Sequence, residues 1–383
     1  MSKSKILIFV RYYLPGYKSG GPVISISQFI KKLEKYANFY IITSNRDFLD
    51  RKAYKSIKTN NWNRRFNVLI NYLDNNYFQY FKIIIRTLSK NKIETIYFSS
   101  LFDFKFTIFP LLLIRIFIIR KKRLIVAPRG ELYSGALSIK KKKKYFFLRL
   151  AKFINLFRNI IWHATSKEEK IAIKKIFPNS TVIISLNFYA SLKGINQKKD
   201  SMNKDNELKI IYYSRITPKK NLKYCIEILN KVSTKYKLDI YGPVDDTGYW
   251  GECEKFIIEN GLSHLIRYQG VVRRDEIAKT LSRYDLFIFP TLGENFGHVI
   301  FDAINSGIPV LLSNKTPWKS IDKYSIGWSV PLENKQLFIK IINTFRTWEL
   351  DHKENFSKNA EKFLIENFNM NDVTMSYKQL FNF

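Results

Sequence analysis

Two carboxylates, Glu294 and Asp302, stand eight residues apart in the stretch PTLGENFGHVIFDA, residues 290–303. Seventy residues and more upstream, in SRITPKKNL, residues 214–222, Arg215 and Lys220 bring two cations to what reads as a strand end and a helix start. Acids of this kind can hold a hydroxyl-rich ligand. An arginine can grip phosphate oxygens as a planar fork and a lysine as a point charge. Cations at a helix N-terminus are disfavoured by the helix dipole unless an anion lies between them. The four residues together therefore suit a phosphorylated, hydroxyl-bearing ligand. Taken singly, each also fits a solvated surface base or an ordinary strand–helix connection with surface acids.

The elements that must position these groups can be read from the apolar pattern. Leu286–Phe289 is a short apolar run that reads as a buried strand, ended by Pro290. Gly293 and Gly297 bracket a loop, Val299, Ile300, Ala303 and Ile304 recur at helical spacing, and Gly307 stops the helix. Glu294 thus falls in the loop and Asp302 in the second helical turn. That corner, past the carboxyl end of a strand, is where open α/β sheets bind ligands, and the backbone N–H groups of residues 295–298 would suit an anion or a hydroxyl.

The same strand–loop–helix alternation runs through the chain. Residues 5–10, 39–43, 95–98, 124–127, 160–165 and 181–184 read as strands, and so, after an almost wholly polar stretch, do 208–213, 238–241 and 266–269. The first strand leads into a loop holding Gly20, Gly21 and Pro22, which equally fits a phosphate approach or a tight turn. Residues 45–75 read as an irregular polar excursion. The pattern predicts doubly wound parallel sheets. It divides into an N-terminal domain, 1–190, a linker, 191–207, a second domain, 208–355, and C-terminal helices, 356–383, expected to cross back to the first domain.

At 383 residues, with 46% hydrophobic and 16% aromatic content, the chain can build sizeable cores and is not a disordered protein. Lys and Arg number 65 against 32 Asp and Glu, a formal charge of +33. Such a chain seeks polyanions, anionic lipid or phosphorylated small molecules, although base-composition bias would also inflate the lysine count. Cys225 and Cys253 make no metal-ligand spacing, and the four histidines make no HxH or HExxH pattern, so neither a disulfide framework nor a structural zinc site is expected. The apolar segment 106–119 contains Pro110 and Arg115 and is too short to span a bilayer.

Basic charge is densest at Lys140–Lys144, which lead into YFFLRLAKFINLFR, residues 145–158. Phe146, Leu150, Phe153, Ile154 and Phe157 fall on one helical stripe. A basic helix rich in phenylalanine suits an anionic membrane surface, with residues 138–158 as the contact, or else packs its stripe on the protein's own sheet. No nucleic-acid module accompanies it, so nucleic acid is not expected as a partner.

Taken together, Glu294 through Asp302 as an E-x7-E-type signature, Gly20-Gly21-Pro22, Arg215 with Lys220, Tyr241-Gly242-Pro243 and Tyr268-Gln269-Gly270 resemble glycosyltransferase family 4, across nearly the whole chain. Members of that family that build bacterial surface polysaccharides are the most similar in pattern. The resemblance implies the GT-B fold, two facing Rossmann-like domains with a C-terminal helical tail. It implies a retaining, metal-independent transfer of a hexose or deoxyhexose from a nucleotide-diphosphate sugar, with no further cofactor, onto a lipid-linked oligosaccharide at the cytoplasmic face of the plasma membrane.

On the same ground, Arg215 and Lys220 hold the diphosphate as leaving group. Glu294, with Asn295, Phe296, Gly297 and His298, meets the donor sugar, and Asp302 the ribose, while Gly20, Gly21, Gly242 and Gly270 line the donor site. Two positions depart from the family pattern. Asp302 is one methylene shorter than the usual glutamate. Arg129-Gly130 stands where many members carry His-Gly, and an arginine cannot accept a proton at neutral pH. Arg129 and Glu131 are then expected to contact the acceptor or a phosphate. Other readings are a soluble transferase acting on a small sugar or a protein, and a polyanion- or lipid-binding protein that keeps the fold without the activity.

Overall fold

Why β1 (Ser4–Phe9) can be apolar at every position from Ile6 onward is plain from its surroundings. Ile6 and Ile8 enter one core, while Leu7 and Phe9 enter another on the opposite face of the sheet. A strand covered by helices on both sides needs no polar alternation. The computed structural model describes residues 3–90, 92–117, 122–138, 140–188 and 207–383, and the chain divides into two units, 1–188 with 370–383, and 189–369.

In the first unit β1 is followed by β2 (Ala37–Ser44), β3 (Trp62–Arg65), β4 (Val68–Leu73), β5 (Thr95–Phe98), β6 (Arg123–Val126), β7 (Ile160–Ala164) and β8 (Thr181–Ile184). They form an eight-stranded sheet in the order β3-β4-β2-β1-β5-β6-β7-β8, parallel except for β3. One face is covered by the helices Tyr77–Lys90, Phe109–Ile116 and Lys141–Phe153, through Tyr80, Ile84, Leu111, Ile114 and Leu148. The other is covered by the helices Gly21–Leu33 and Met370–Phe381. Tyr377 packs against Phe188 (ring centroids 4.9 Å), His163 (5.3 Å) and Phe29 (5.5 Å), and Arg123 donates to the carbonyls of Leu380 (2.8 Å) and Gln379 (3.0 Å).

Residues 45–75 are not the irregular excursion expected from their polarity. Val68–Leu73 is a buried strand paired in parallel with β2, and Trp62–Arg65 caps the sheet edge as its antiparallel partner. The expected linker lies outside the described residues except for Glu207. The helix Phe356–Asn367 stays with the second unit, so the chain returns to the first only from Met370.

The second unit builds β9 (Leu208–Tyr213), β10 (Tyr236–Tyr241), β11 (Ile266–Gly270), β12 (Leu286–Phe289), β13 (Val310–Ser313) and β14 (Gly327–Val330) into a parallel sheet in the order β11-β10-β9-β12-β13-β14. The order reverses at β9, with β12 as its other neighbour. Loops at the carboxyl ends of β9 and β12 therefore diverge around a switch point, the place where such sheets take ligands. Among the described residues, no helix is long and apolar enough to cross a membrane.

Candidate active site

At that switch point, backbone bonds stitch the loops after β9 and β12 together. Leu292 N–H donates to the Lys219 carbonyl (2.9 Å), and the Asn221 side-chain amide donates to the Pro290 carbonyl (2.9 Å). Pro218–Lys220 forms one tight turn, released into the helix Leu222–Leu229 by Asn221 in the left-handed region. The stitching sets the Lys220 ammonium on the Glu294 carboxylate, and the other carboxylate oxygen accepts the Asn295 N–H (3.0 Å). Lys220 and Glu294 side chains are only 12% and 15% exposed. Burial acts to raise the Glu294 pKa, but the Lys220 charge and hydrogen bond outweigh it and hold the carboxyl below its ordinary range. The Lys220 Nζ also lies 5.3 Å from the centre of the Phe289 ring.

Gly297 has φ of +80°, and a Cβ there would come within 2.7 Å of Ile300 and 3.1 Å of Glu294 Cγ. Only glycine fits between the loop acid and the helix His298–Asn305. Phe296 turns inward instead, packed on Trp318 and Phe368, with its carbonyl accepting from the Trp318 indole. The Phe296 side chain is thus a core group, and His298 is buried against its ring.

Asp302, in the second turn of that helix, is buried, and Arg274 from the loop after β11 grips both its oxygens, Oδ1 at 2.9 Å. Burial outweighs the guanidinium and holds the Asp302 carboxyl above its ordinary range, while Asp302 holds Arg274 above its own. The half-buried Tyr213 hydroxyl lies against the same guanidinium. Arg274 was not singled out from the sequence. The doublet Arg273-Arg274 offered two equivalent cations, and Arg273 turns to Asp275 instead. The third cation, Arg215, at the end of β9, pairs with Asp245 (3.0 Å) and is 42% exposed.

Gly242 has φ of +135°, and a Cβ would stand 1.9 Å from the Ser214 carbonyl, so the loops after β9 and β10 can touch only through a glycine. Gly242 N–H donates to the Gly270 carbonyl (2.8 Å). Gly242 and Gly270 therefore shape the loop ends beside Arg215.

The remaining expected site residues lie in the first unit. Gly20, with φ of +73°, caps the helix that starts at Gly21, and the loop before it is held by the buried Asp47 carboxylate through the N–H groups of Tyr17 (2.8 Å) and Lys18 (3.1 Å). Glu131 has its oxygens committed to the Ser100 hydroxyl (2.8 Å) and the N–H groups of Leu101 (2.6 Å) and Phe102 (3.3 Å). The geometry thus makes Glu131 a clamp on the loop after β5.

Arg129, itself in the left-handed region at φ +54°, donates to the Asn187 side-chain carbonyl (2.8 Å) and the Tyr97 hydroxyl (2.7 Å). Tyr97 lies 2.9 Å from His163 Nδ1, and His163 Nε2 lies 2.8 Å from the Ser185 carbonyl. A carbonyl only accepts, so Nε2 carries the proton, Nδ1 accepts from Tyr97, and Tyr97 accepts from Arg129. Burial, with Arg129 nearby, drops the His163 pKa to about 3, so the ring is neutral. No metal-ligand pattern surrounds His163 in the sequence; its signal is a lone polar ring in the apolar strand Ile160–Ala164.

Two α/β units of this construction, with a helix returned to the first, are the GT-B fold. Residues 193–363 match the family model for glycosyl transferases group 1. The chain is 25% identical over 183 residues to an uncharacterised glycosyltransferase of Methanocaldococcus jannaschii, spanning 47% of this chain but only 46% of that protein. It is 23% identical over 310 residues to a protein of the cps region of Klebsiella pneumoniae, covering 79% and 82% of the two chains. Similarity to the O-antigen biosynthesis glycosyltransferase WbnH of Escherichia coli is 23% over 243 residues, 62% and 64% of the chains.

Among solved structures, Anabaena HepE in complex with UDP and glucose superposes with a TM-score of 0.70 at 16% identity over 98% of each chain. WaaG, a glycosyltransferase involved in lipopolysaccharide biosynthesis, does so at 0.67 and 12%, again over 98% of each. The structural likenesses establish the fold, and together with the family match they support a glycosyltransferase.

Proposed function

We propose that this protein is a retaining, metal-independent glycosyltransferase that moves a hexose or deoxyhexose from a nucleotide-diphosphate sugar to a lipid-linked oligosaccharide of a bacterial surface polysaccharide. The observation that carries the reading is the buried Lys220–Glu294 pair at the switch point of the second sheet, inside the segment that matches glycosyl transferases group 1. Lys220 and Arg215 would exchange their carboxylate partners for the diphosphate and neutralise it as it departs. Glu294, released from Lys220, would accept hydrogen bonds from donor-sugar hydroxyls beside the backbone of Asn295–His298. Asp302 would face the ribose hydroxyls, its remaining lone pairs available beside Arg274. Arg129 is a cation and not a base, so the leaving phosphate is the proton acceptor of this scheme. UDP and glucose in the Anabaena neighbour, and the O-antigen and lipopolysaccharide roles in the names of two relatives, favour the same assignment.

A melting screen tests the donor half. With UDP-, GDP-, ADP- and dTDP-linked hexoses at about a hundred times Kd, one sugar nucleotide should raise Tm by roughly 5 °C. A flat response across the panel would remove the donor site.

The membrane half rests on the helix Lys141–Phe153. Leu148 and Ala151 point into the core, leaving Phe146 71% and Phe153 84% exposed, with Leu150 and Ile154 beside them. Phe157, expected on the same stripe, is buried past the helix end. No acidic residue occurs between Glu131 and Glu168. Lysines near an anionic leaflet are each worth about 1 kcal/mol, and exposed phenylalanines suit its interface. In this reading the enzyme works at the inner face of the plasma membrane. Replacing Lys140–Lys144 by glutamine should weaken binding to phosphatidylglycerol vesicles by about a thousandfold in cosedimentation. Undiminished binding would clear this segment of the role.

A further inference from the structure

Four neighbouring strands of the first sheet, β4, β2, β1 and β5, end side by side, and three cations lie in the loops just past them together with three acids, Asp47, Asp74 and Asp103. Arg11 follows β1, Arg46 follows β2, and Lys105 lies beyond β5. Their local acids are already occupied. Asp103 binds Arg11 Nε (2.6 Å) and Nη2 (3.2 Å) and accepts the Phe106 N–H (2.9 Å). Asp74 accepts from the Asn60 amide (2.8 Å) and the Asn76 N–H (2.8 Å). Among the described residues, neither Arg46 nor Lys105 has a carboxylate within ion-pair distance; Arg46 donates to the Asn45 side chain and the Arg51 carbonyl, and Lys105 to the carbonyls of Asp74 and the Asn75 side chain. Lys105 is partly buried, and its pKa is lowered by burial and by both arginines, against the pull of Asp74 and Asp103. Two cations that meet no carboxylate directly, at the carboxyl end of an α/β sheet, are placed to take a phosphate.

An aromatic ledge adjoins them. Lys105 Nζ is 5.9 Å from the centre of the Tyr77 ring, and Tyr77 and Phe104 both pack against Phe109, at 6.2 and 6.3 Å. Tyr77, Phe78 and Phe104 are each more than half exposed. No acidic residue lies between Asp74 and Glu94, or between Asp103 and Glu131.

We propose that Arg11, Arg46 and Lys105 bind the diphosphate of an amphiphilic acceptor whose hydrocarbon chain leaves over Tyr77, Phe78 and Phe104. This deepens the lipid-linked acceptor reading and rests on it, but it makes no use of the donor residues. Guanidinium groups clamp phosphate oxygens in pairs, and the ledge selects a diphosphate that carries a hydrocarbon over one that does not.

The test uses the full chain with farnesyl diphosphate, inorganic pyrophosphate and UDP, followed by titration calorimetry. Farnesyl diphosphate should bind at least tenfold more tightly than pyrophosphate. Arg46→Gln with Lys105→Gln should weaken both at least tenfold and leave UDP binding unchanged, which also reports that the protein is folded. Lys105→Arg should retain binding. Tyr77→Ser with Phe104→Ser should lose the farnesyl preference and keep pyrophosphate. Unchanged farnesyl diphosphate binding in the Arg46/Lys105 variant would overturn the proposal. So would loss of that binding in Lys220→Gln alone, which would place the diphosphate in the second unit. Farnesyl diphosphate binding without any response to UDP would instead count against the donor site and leave this one standing.

Discussion

Lys220→Met should lower transfer by about 10²–10³-fold and cost the second unit roughly 3 kcal/mol of stability. The two losses have different origins, and a second substitution separates them. The Glu294 carboxylate is 15% exposed and its charge is balanced by Lys220. Removing the ammonium leaves an acid with the desolvation cost and without the compensation, which is why a broken buried pair is worse than none. Lys220→Met combined with Glu294→Leu should therefore recover much of the stability in urea unfolding while activity stays lost. Glu294→Gln should retain nucleotide binding and lose turnover, since it removes the sugar's acceptor and not the diphosphate's cation. If the double variant is as unstable as Lys220→Met alone, the pair is not the internally compensated unit described above. If Lys220→Met turns over normally, its role at the leaving group is wrong. The acid limb follows the same pair. Because the folded Glu294 pKa is lowered, its stabilisation is complete above the ordinary glutamate value of 4.5 and is lost as pH falls through the lowered one.

His163 dominates at less acid pH. Its pKa falls from 6.5 to about 3 in the fold, so below pH 6.5 the unfolded chain takes up a proton that the folded one refuses. The first unit should lose about 1.4 kcal/mol per pH unit on acidification towards pH 3, about 3 kcal/mol by pH 4.5. His163→Gln supplies an amide that donates to the Ser185 carbonyl and an oxygen that accepts from Tyr97, so the chain of bonds from Arg129 survives without a titrating group. Its stability, followed by thermal melting from pH 7 to 4.5, should show a flatter acid limb. An unchanged slope would mean that the ring is protonated in the fold and that the Nε2–H tautomer is wrong.

How far these features could be read before the fold was known depended on what fixes each one. Strands such as Ile6–Phe9 and Leu124–Val126 announce themselves because helices cover both faces and every position can be apolar. Val68–Leu73 did not, because Asn71 interrupts it and polar residues precede it; its burial is supplied by β2 and β3 rather than by its own composition. The helical period of residues 141–153 revealed an apolar stripe but not its direction, and it is the smaller set, Leu148 and Ala151, that faces the core. Glu294 and Asp302 were conspicuous by spacing, and their roles came from resemblance. Which arginine would reach Asp302 could not be read at all, since Arg273 and Arg274 are adjacent and only the path of the loop after β11 separates them. Glu131 drew notice by standing next to Arg129-Gly130, whereas its partners are backbone N–H groups of a loop thirty residues earlier. Polar networks such as Arg129–Tyr97–His163 join strands far apart in sequence, and no local pattern encodes them.

The return of Met370–Phe381 to the first sheet sets an order of events during synthesis. Phe29, Tyr97 and His163 are covered on one side by Tyr377 and Phe381, which leave the ribosome only after the whole of residues 189–369. The nascent first unit must wait with that apolar face uncovered while the second, continuous in sequence, can fold as it emerges. Newly made chains are therefore most exposed to aggregation and to chaperone capture through the face that the last helix closes.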